Sequence, residues 1–186
     1  MIKSAKIKNE KTSARETLGL ELQKKLGIKN INAIPKINKV IVAIGIGSLA
    51  TRKWLKDFDE FEKNLMKITW QKPRMIKSRK SISNFKLRED MPVMLQTTLR
   101  GRRASDFLDR FTKLVLPRIR DFSWISEKSF DGKWNISIWI PNYNIFPELN
   151  VDEVVTPIGI QITITMTGNK SAENRILLES LWFMFK

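Results

Sequence analysis

Ile158-Gly159-Ile160-Gln161-Ile162-Thr163-Ile164-Thr165-Met166 puts an apolar side chain at every second position and small or polar residues between them. Successive side chains of a strand point to opposite faces, so this period of two predicts a strand with one buried and one polar face. Three further segments also place apolar residues at alternate positions: Val40, Val42 and Ile44; Val93, Leu95 and Leu99; and Ile136, Ile138 and Ile140. Their opposite faces hold Gln96, Thr98 and Arg100 in one case and Gln161, Thr163, Thr165 and Thr167 in another. Polar and only partly charged, these positions predict a sheet covered on one side.

Between the strands the period changes to that of a helix. Leu55, Phe58, Phe61, Leu65 and Ile68 recur at three- and four-residue steps within Lys53 to Thr69, with Lys56, Asp59, Glu60 and Lys63 on the other side. Phe107, Leu108, Phe111, Leu114 and Val115 repeat the pattern within Ala104 to Val115. A first helix is expected from about Ser13 to Leu26, stopped by Gly27, and a last one from a Ser171 cap to about Trp182. The expected fold class is α+β: one mostly antiparallel sheet with helices on one face and an open polar face on which RNA can lie. With no internal repeat or long linker, residues 1–186 are expected to form a single RNA-binding domain.

The net charge of +15 points to a polyanionic partner. It is unevenly placed: residues 1–40 carry +7, 71–88 carry +7 and 100–120 carry +5, whereas 121–186 carry −3. Gln71 to Arg88 holds Lys72, Arg74, Lys77, Arg79, Lys80, Lys86 and Arg88 without one acidic residue. Charge of that density repels itself unless an anion neutralises it. A membrane is not the expected partner, because the longest apolar run, around Val40 to Ile44, is far shorter than the roughly 18 residues of a span. The segment Met1 to Lys11 lacks the apolar stretch of a signal peptide, so a cytoplasmic protein is expected.

Catalysis is disfavoured by composition. The chain has no Cys and no His, which removes thiolate ligands and nucleophiles together with the commonest general base and metal ligand. No cofactor is expected. Gly45-Ile46-Gly47 follows a strand, yet no acidic residue stands where a dinucleotide site needs one. Asp57, Asp59, Glu60 and Glu62 spread around a helix beside Lys56 and Lys63 and read as surface pairs, not a metal site. Two alternatives stay open: a free RNA chaperone or messenger-binding protein using the same basic sheet, and a phosphodiester-cleaving enzyme with clustered carboxylates.

Longer segments narrow the choice. Ile34-Pro35-Lys36-Ile37-Asn38-Lys39-Val40, Gln71-Lys72-Pro73, Lys80-Ser81-Ile82, Phe85-Lys86-Leu87-Arg88-Glu89, Met91-Pro92 and Thr98-Leu99-Arg100-Gly101 occur in order. Phe107-Leu108-Asp109-Arg110, Leu116-Pro117-Arg118-Ile119-Arg120-Asp121-Phe122, Ser129-Phe130-Asp131-Gly132 and Ile145-Phe146-Pro147-Glu148 follow. From about Ala14 to Lys186 the chain resembles the bacterial large-subunit ribosomal protein family numbered five.

The resemblance implies a structural protein that holds 5S ribosomal RNA in the central protuberance, among the large-subunit ribosomal RNA. It also implies a basic loop reaching the peptidyl-site transfer RNA and an edge meeting a small-subunit ribosomal protein across the intersubunit bridge. Lys36, Gln71 and Thr98 match positions that face 5S RNA, with Lys72 and Arg100 beside them. Lys77, Arg79, Lys80 and Ser81 fall in the loop that approaches transfer RNA. Ala43 departs from the pattern, which has an asparagine there whose amide contacts RNA. Trp70, Trp124, Trp134, Trp139 and Trp182 stand where the pattern has glycine, so glycine is expected at these five positions in the native protein.

Overall fold

The computed structural model describes residues 19, 22–23, 25–28, 30–52, 58–119, 129–131, 135–149, 156–168, 171–181 and 183. Most of the helix expected from Ser13 to Leu26 lies outside them. Gly27 is described and has φ of +64°, the left-handed conformation in which a glycine ends a helix cheaply.

Five strands form one antiparallel sheet: β1 (Ile37–Gly45), β2 (Arg74–Lys77), β3 (Pro92–Arg100), β4 (Ile136–Ile140) and β5 (Ile160–Met166), in the order β2-β3-β1-β5-β4. The four expected strands are all present. The strand predicted from Ile158 starts two residues later, because the Ile158 carbonyl accepts from Tyr143 N at 3.0 Å instead of joining the ladder. β1 is central, pairing Val42 with Thr97 of β3 on one side and with Ile162 of β5 on the other. The Gly45-Ile46-Gly47 turn thus leaves a strand with two antiparallel neighbours, unlike the parallel strand of a dinucleotide fold.

Four helices are described: α1 (Gly47–Arg52), α2 (Asp59–Thr69), α3 (Gly101–Arg110) and α4 (Ser171–Ser180). The helix expected from Lys53 begins only at Asp59, after Phe58 with φ −118° and ψ 11°, and residues 53–57 lie outside the described set. The helix expected from Ala104 to Val115 opens at Gly101 and passes into a π-helical turn, Phe111–Val115, and a 3-10 turn, Leu116–Arg118. Pro117 has no N–H to donate and its ring crowds the preceding turn, so a regular helix cannot continue past it.

The apolar faces converge on one core, in which Val40, Val42, Ile44, Leu95, Leu99, Ile160, Ile162 and Ile164 are fully buried against Phe61, Leu65, Ile68 and Phe107. Phe107, Phe111, Phe146 and Phe183 form its aromatic centre, with neighbouring ring centroids 6.1 to 6.4 Å apart. Tyr143 is wholly buried; its hydroxyl accepts from Asn64 Nδ2 at 3.4 Å and donates to the Thr156 carbonyl at 3.3 Å. Desolvation raises the pKa of this phenol above its ordinary value, which keeps the donor in place. Arg110 and Glu148, each part of a quoted motif, form a partly buried ion pair, and Arg110 also donates to the Ile68 carbonyl at 3.1 Å. These two motif residues join α3 to the segment after β4 and have a structural role.

Candidate nucleic-acid interface

Register assigns the polar side chains to rows across the other face of the sheet. One row runs Arg100, Lys39, Thr165; the next Thr98, Ile41, Thr163, Ser137; the third Arg74, Gln96, Ala43, Gln161, Trp139. All of these are exposed or half-buried except Ala43, at 8% exposure. The period of two that hides the isoleucines delivers these hydroxyls, amides and cations to one surface. Among them, Ser137 and Thr163 hydrogen-bond through their hydroxyls at 3.0 Å.

The site residues expected from the sequence divide into two groups. Thr98 and Arg100 belong to the sheet surface, and Arg100 Nη1 donates to Asn38 Oδ1 at 3.3 Å. Lys36 precedes β1 with its side chain exposed, and its backbone is clamped by Thr167, whose N donates to the Lys36 carbonyl at 3.0 Å and whose Oγ1 accepts from Lys36 N at 2.9 Å. Gln71 lies in the turn between α2 and β2. Its Nε2 donates to the Thr98 carbonyl and its Oε1 accepts from Arg103 Nη1, both at 3.3 Å. This amide therefore ties the turn to β3 and orients a cation, leaving one N–H and one lone pair for a ligand. Lys72 is highly exposed and pairs loosely with Glu62 at 3.5 Å, a contact of little energetic weight.

The second group lies along an extension between β2 and β3. Lys77 is the last residue of β2, paired with Pro92 across a register shift, so only Arg79, Lys80 and Ser81 of the expected four stand in the loop itself. The loop holds itself in shape. Ser78 N donates to the Met91 carbonyl at 2.8 Å, Asp90 N to the Ser78 carbonyl at 3.0 Å, and Ile82 and Leu87 form a bridge. Ser81 Oγ accepts from Glu89 N at 3.0 Å, and Ser78 Oγ donates to the Lys80 carbonyl at 2.8 Å. With polar groups and backbone satisfied locally, Lys77, Arg79, Lys80, Lys86 and Arg88 are left exposed, and Phe85 in the same segment is 69% exposed.

Sequence reasoning named neither Arg103 nor the amides of Gln96 and Gln161 as contacts. Gln96 and Gln161 were legible as polar-face residues, but only register sets them beside each other across β1. The described residues hold no cluster of three or more side chains suited to a metal ion, and no described helix is long and apolar enough to cross a membrane.

Comparison with known proteins bears on the whole chain. Residues 30–88 match the family profile described as ribosomal protein L5, and residues 92–185 match the profile of the C-terminus of the same ribosomal family. The large ribosomal subunit protein uL5 of Prochlorococcus marinus (strain NATL1A) is 40% identical over 176 residues, 95% of this chain and 97% of the relative. That of Pseudarthrobacter chlorophenolicus is 41% identical over 176 residues, covering 95% and 90%. That of Aster yellows witches'-broom phytoplasma is 38% identical over 180 residues, covering 97% and 98%. The two matched segments share one sheet, since β1 and β2 come from the first and β3, β4 and β5 from the second.

Proposed function

The chain belongs to the ribosomal protein L5 family, structural constituents of the large ribosomal subunit and not enzymes, and from that premise we propose that it holds 5S ribosomal RNA in the central protuberance. As a member it binds ribosomal RNA within the ribosome; the finer assignment rests on the sheet surface. The single observation that carries it is the register, which sets Arg100 beside Lys39, Thr98 in the next row, and Arg74 and Gln96 in the third. Hydroxyls and amides on a sheet meet 2′-OH groups and base edges, while flanking cations neutralise phosphates. Lys36, Gln71, Lys72, Thr98 and Arg100 are the assigned contacts, with Gln71 acting in part through Arg103.

The β2–β3 extension, with Lys77, Arg79, Lys80 and Ser81, is assigned to the peptidyl-site transfer RNA, and another edge to a small-subunit protein across the intersubunit bridge. In this reading residues 1–186 work as one domain in cytoplasmic ribosomes. The decisive experiment is a sucrose gradient of a cell extract: the protein is expected in the large-subunit and ribosome fractions together with 5S RNA. Sedimentation with messenger or other small RNAs at the top of the gradient would mark a free RNA chaperone instead.

The assignment of two RNAs to two surfaces gives a second expectation. Changing Lys77, Arg79 and Lys80 together to Glu is expected to leave stability within about 0.5 kcal/mol, because all three side chains are exposed. Affinity for 5S RNA should stay within a few-fold of wild type, while translation by reconstituted ribosomes falls. Equal loss of 5S binding and of translation would show that the extension and the sheet are not separate sites.

A further inference from the structure

We infer that Gln96 and Gln161 act as a pair of RNA-reading amides converging over Ala43, an inference that rests on the 5S RNA reading above. Ala43 occupies the middle of the central strand, directly opposite Gln96 on β3 and directly opposite Gln161 on β5. Directly opposed residues of antiparallel strands have Cβ atoms only about 5 Å apart. A glutamine side chain spans that distance, so both amides can close over a methyl group that neither competes for hydrogen bonds nor blocks them.

Both amides are also unengaged among the described residues. None of the hydrogen bonds among the described residues uses the side chain of Gln96 or Gln161, in contrast to Gln71, whose amide is engaged at both ends. Gln161 is exposed and Gln96 half-buried. Each offers two donors and an acceptor, the set that pairs with an adenine edge or with a 2′-OH. Arg74, next to Gln96 in the same row, supplies the phosphate contact that sets register, and Thr98 and Thr163 flank the pair in the adjacent row. An RNA strand crossing the sheet along this row would meet a cation first and then two unspent amides.

The test measures binding of the full chain to 5S RNA at fixed salt for wild type, Gln96→Ala, Gln161→Ala and the double variant. Each single change is expected to weaken binding about fivefold, the equivalent of one net hydrogen bond, and the double change by more than tenfold. Ala43→Asn in the double variant should recover part of that loss by restoring an amide at the centre. Gln161→Glu, of the same size but without a donor and with an added negative charge, should weaken binding more than Gln161→Ala, and it guards against a fold defect in the alanine variants. Wild-type affinity in the double variant would overturn the inference while leaving the 5S reading intact. Failure of the wild-type chain to bind 5S RNA would overturn the reading on which the inference rests.

Discussion

Peptides from the native protein are expected to carry the mass of glycine, not tryptophan, at positions 70, 124, 134, 139 and 182. The structural case is made at Trp70, which ends α2 with φ 54° and ψ 28° while its N–H donates to the Met66 carbonyl. This is the left-handed helix stop that glycine adopts freely and that costs other residues roughly 1 to 2 kcal/mol. Gly27 and Gly101, at φ +64° and +56°, share the positive φ, as do Lys86 at 53° and Asp90 at 60°. The Trp70 indole recovers only part of this: it is 63% exposed and stacks on the partly buried Arg110, 3.9 Å from the ring centroid, a contact worth between about 0.5 and 2 kcal/mol. Trp139 is 67% exposed on the edge strand β4, where the backbone demands no glycine, so the case at that position rests on the family pattern. Trp124, Trp134 and Trp182 lie outside the described residues and rest on the same pattern. Eight glycines in 186 residues is about 4% of the chain, against an average of about 7%, and five more would close the gap. One reassigned codon, UGA read as glycine, accounts for all five. Trp54 lies outside that pattern and serves as the internal control, expected to be tryptophan encoded by UGG. UGG codons at the other five positions, or tryptophan masses in peptides from native ribosomes, would end the idea.

Binding to 5S RNA is expected to fall by on the order of a thousandfold or more between about 50 and 200 mM salt, the response of an interface with six or more phosphate contacts. The cations placed to supply such contacts are Lys36, Lys39, Lys72, Arg74, Arg100 and Arg103, all within or beside the polar rows of the sheet. Each neutralised phosphate releases condensed counterions, and the entropy of that release shrinks as bulk salt rises. Replacing Arg74 or Arg103 by alanine should reduce the slope of log affinity against log salt by about one. A nearly flat response would mean that the amides and hydroxyls dominate and that the assignment of these cations to phosphates is wrong.

The fold was legible where burial imposes a period. Ile160 to Met166 alternate because one face of the sheet enters the core, and Phe61, Leu65 and Ile68 repeat at helical steps because α2 buries one stripe. β2 escaped notice for the opposite reason. Arg74, Met75, Ile76 and Lys77 sit on an edge strand with none of them fully buried, so no alternation is enforced and their charge dominates the reading. A strand boundary moved where hydrogen bonding rather than hydrophobicity decides, as at Ile158. At the candidate interface, residue type marked the polar positions, but strand register and the engagement of each amide separate the groups already used from the rest. Gln71, Gln96 and Gln161 look alike in sequence, and only tertiary structure separates the tethered one from the two that no hydrogen bond among the described residues engages.

The central position of β1 also governs how the chain comes into being. Its partner β3 starts at Pro92 and its other partner β5 at Ile160, so during synthesis β1 waits for more than a hundred residues before its second edge is covered. At ordinary elongation rates that interval is on the order of ten seconds, and pairings so distant in sequence form slowly even once the chain is complete. For that time a nascent strand with Val40, Val42 and Ile44 on one face is open to pairing with other chains. The seven cations of residues 71–88, a block with no acidic residue of its own, emerge well before β5 does. Mutual repulsion between nascent chains at that block is expected to oppose aggregation of the unfinished sheet until its last neighbour arrives.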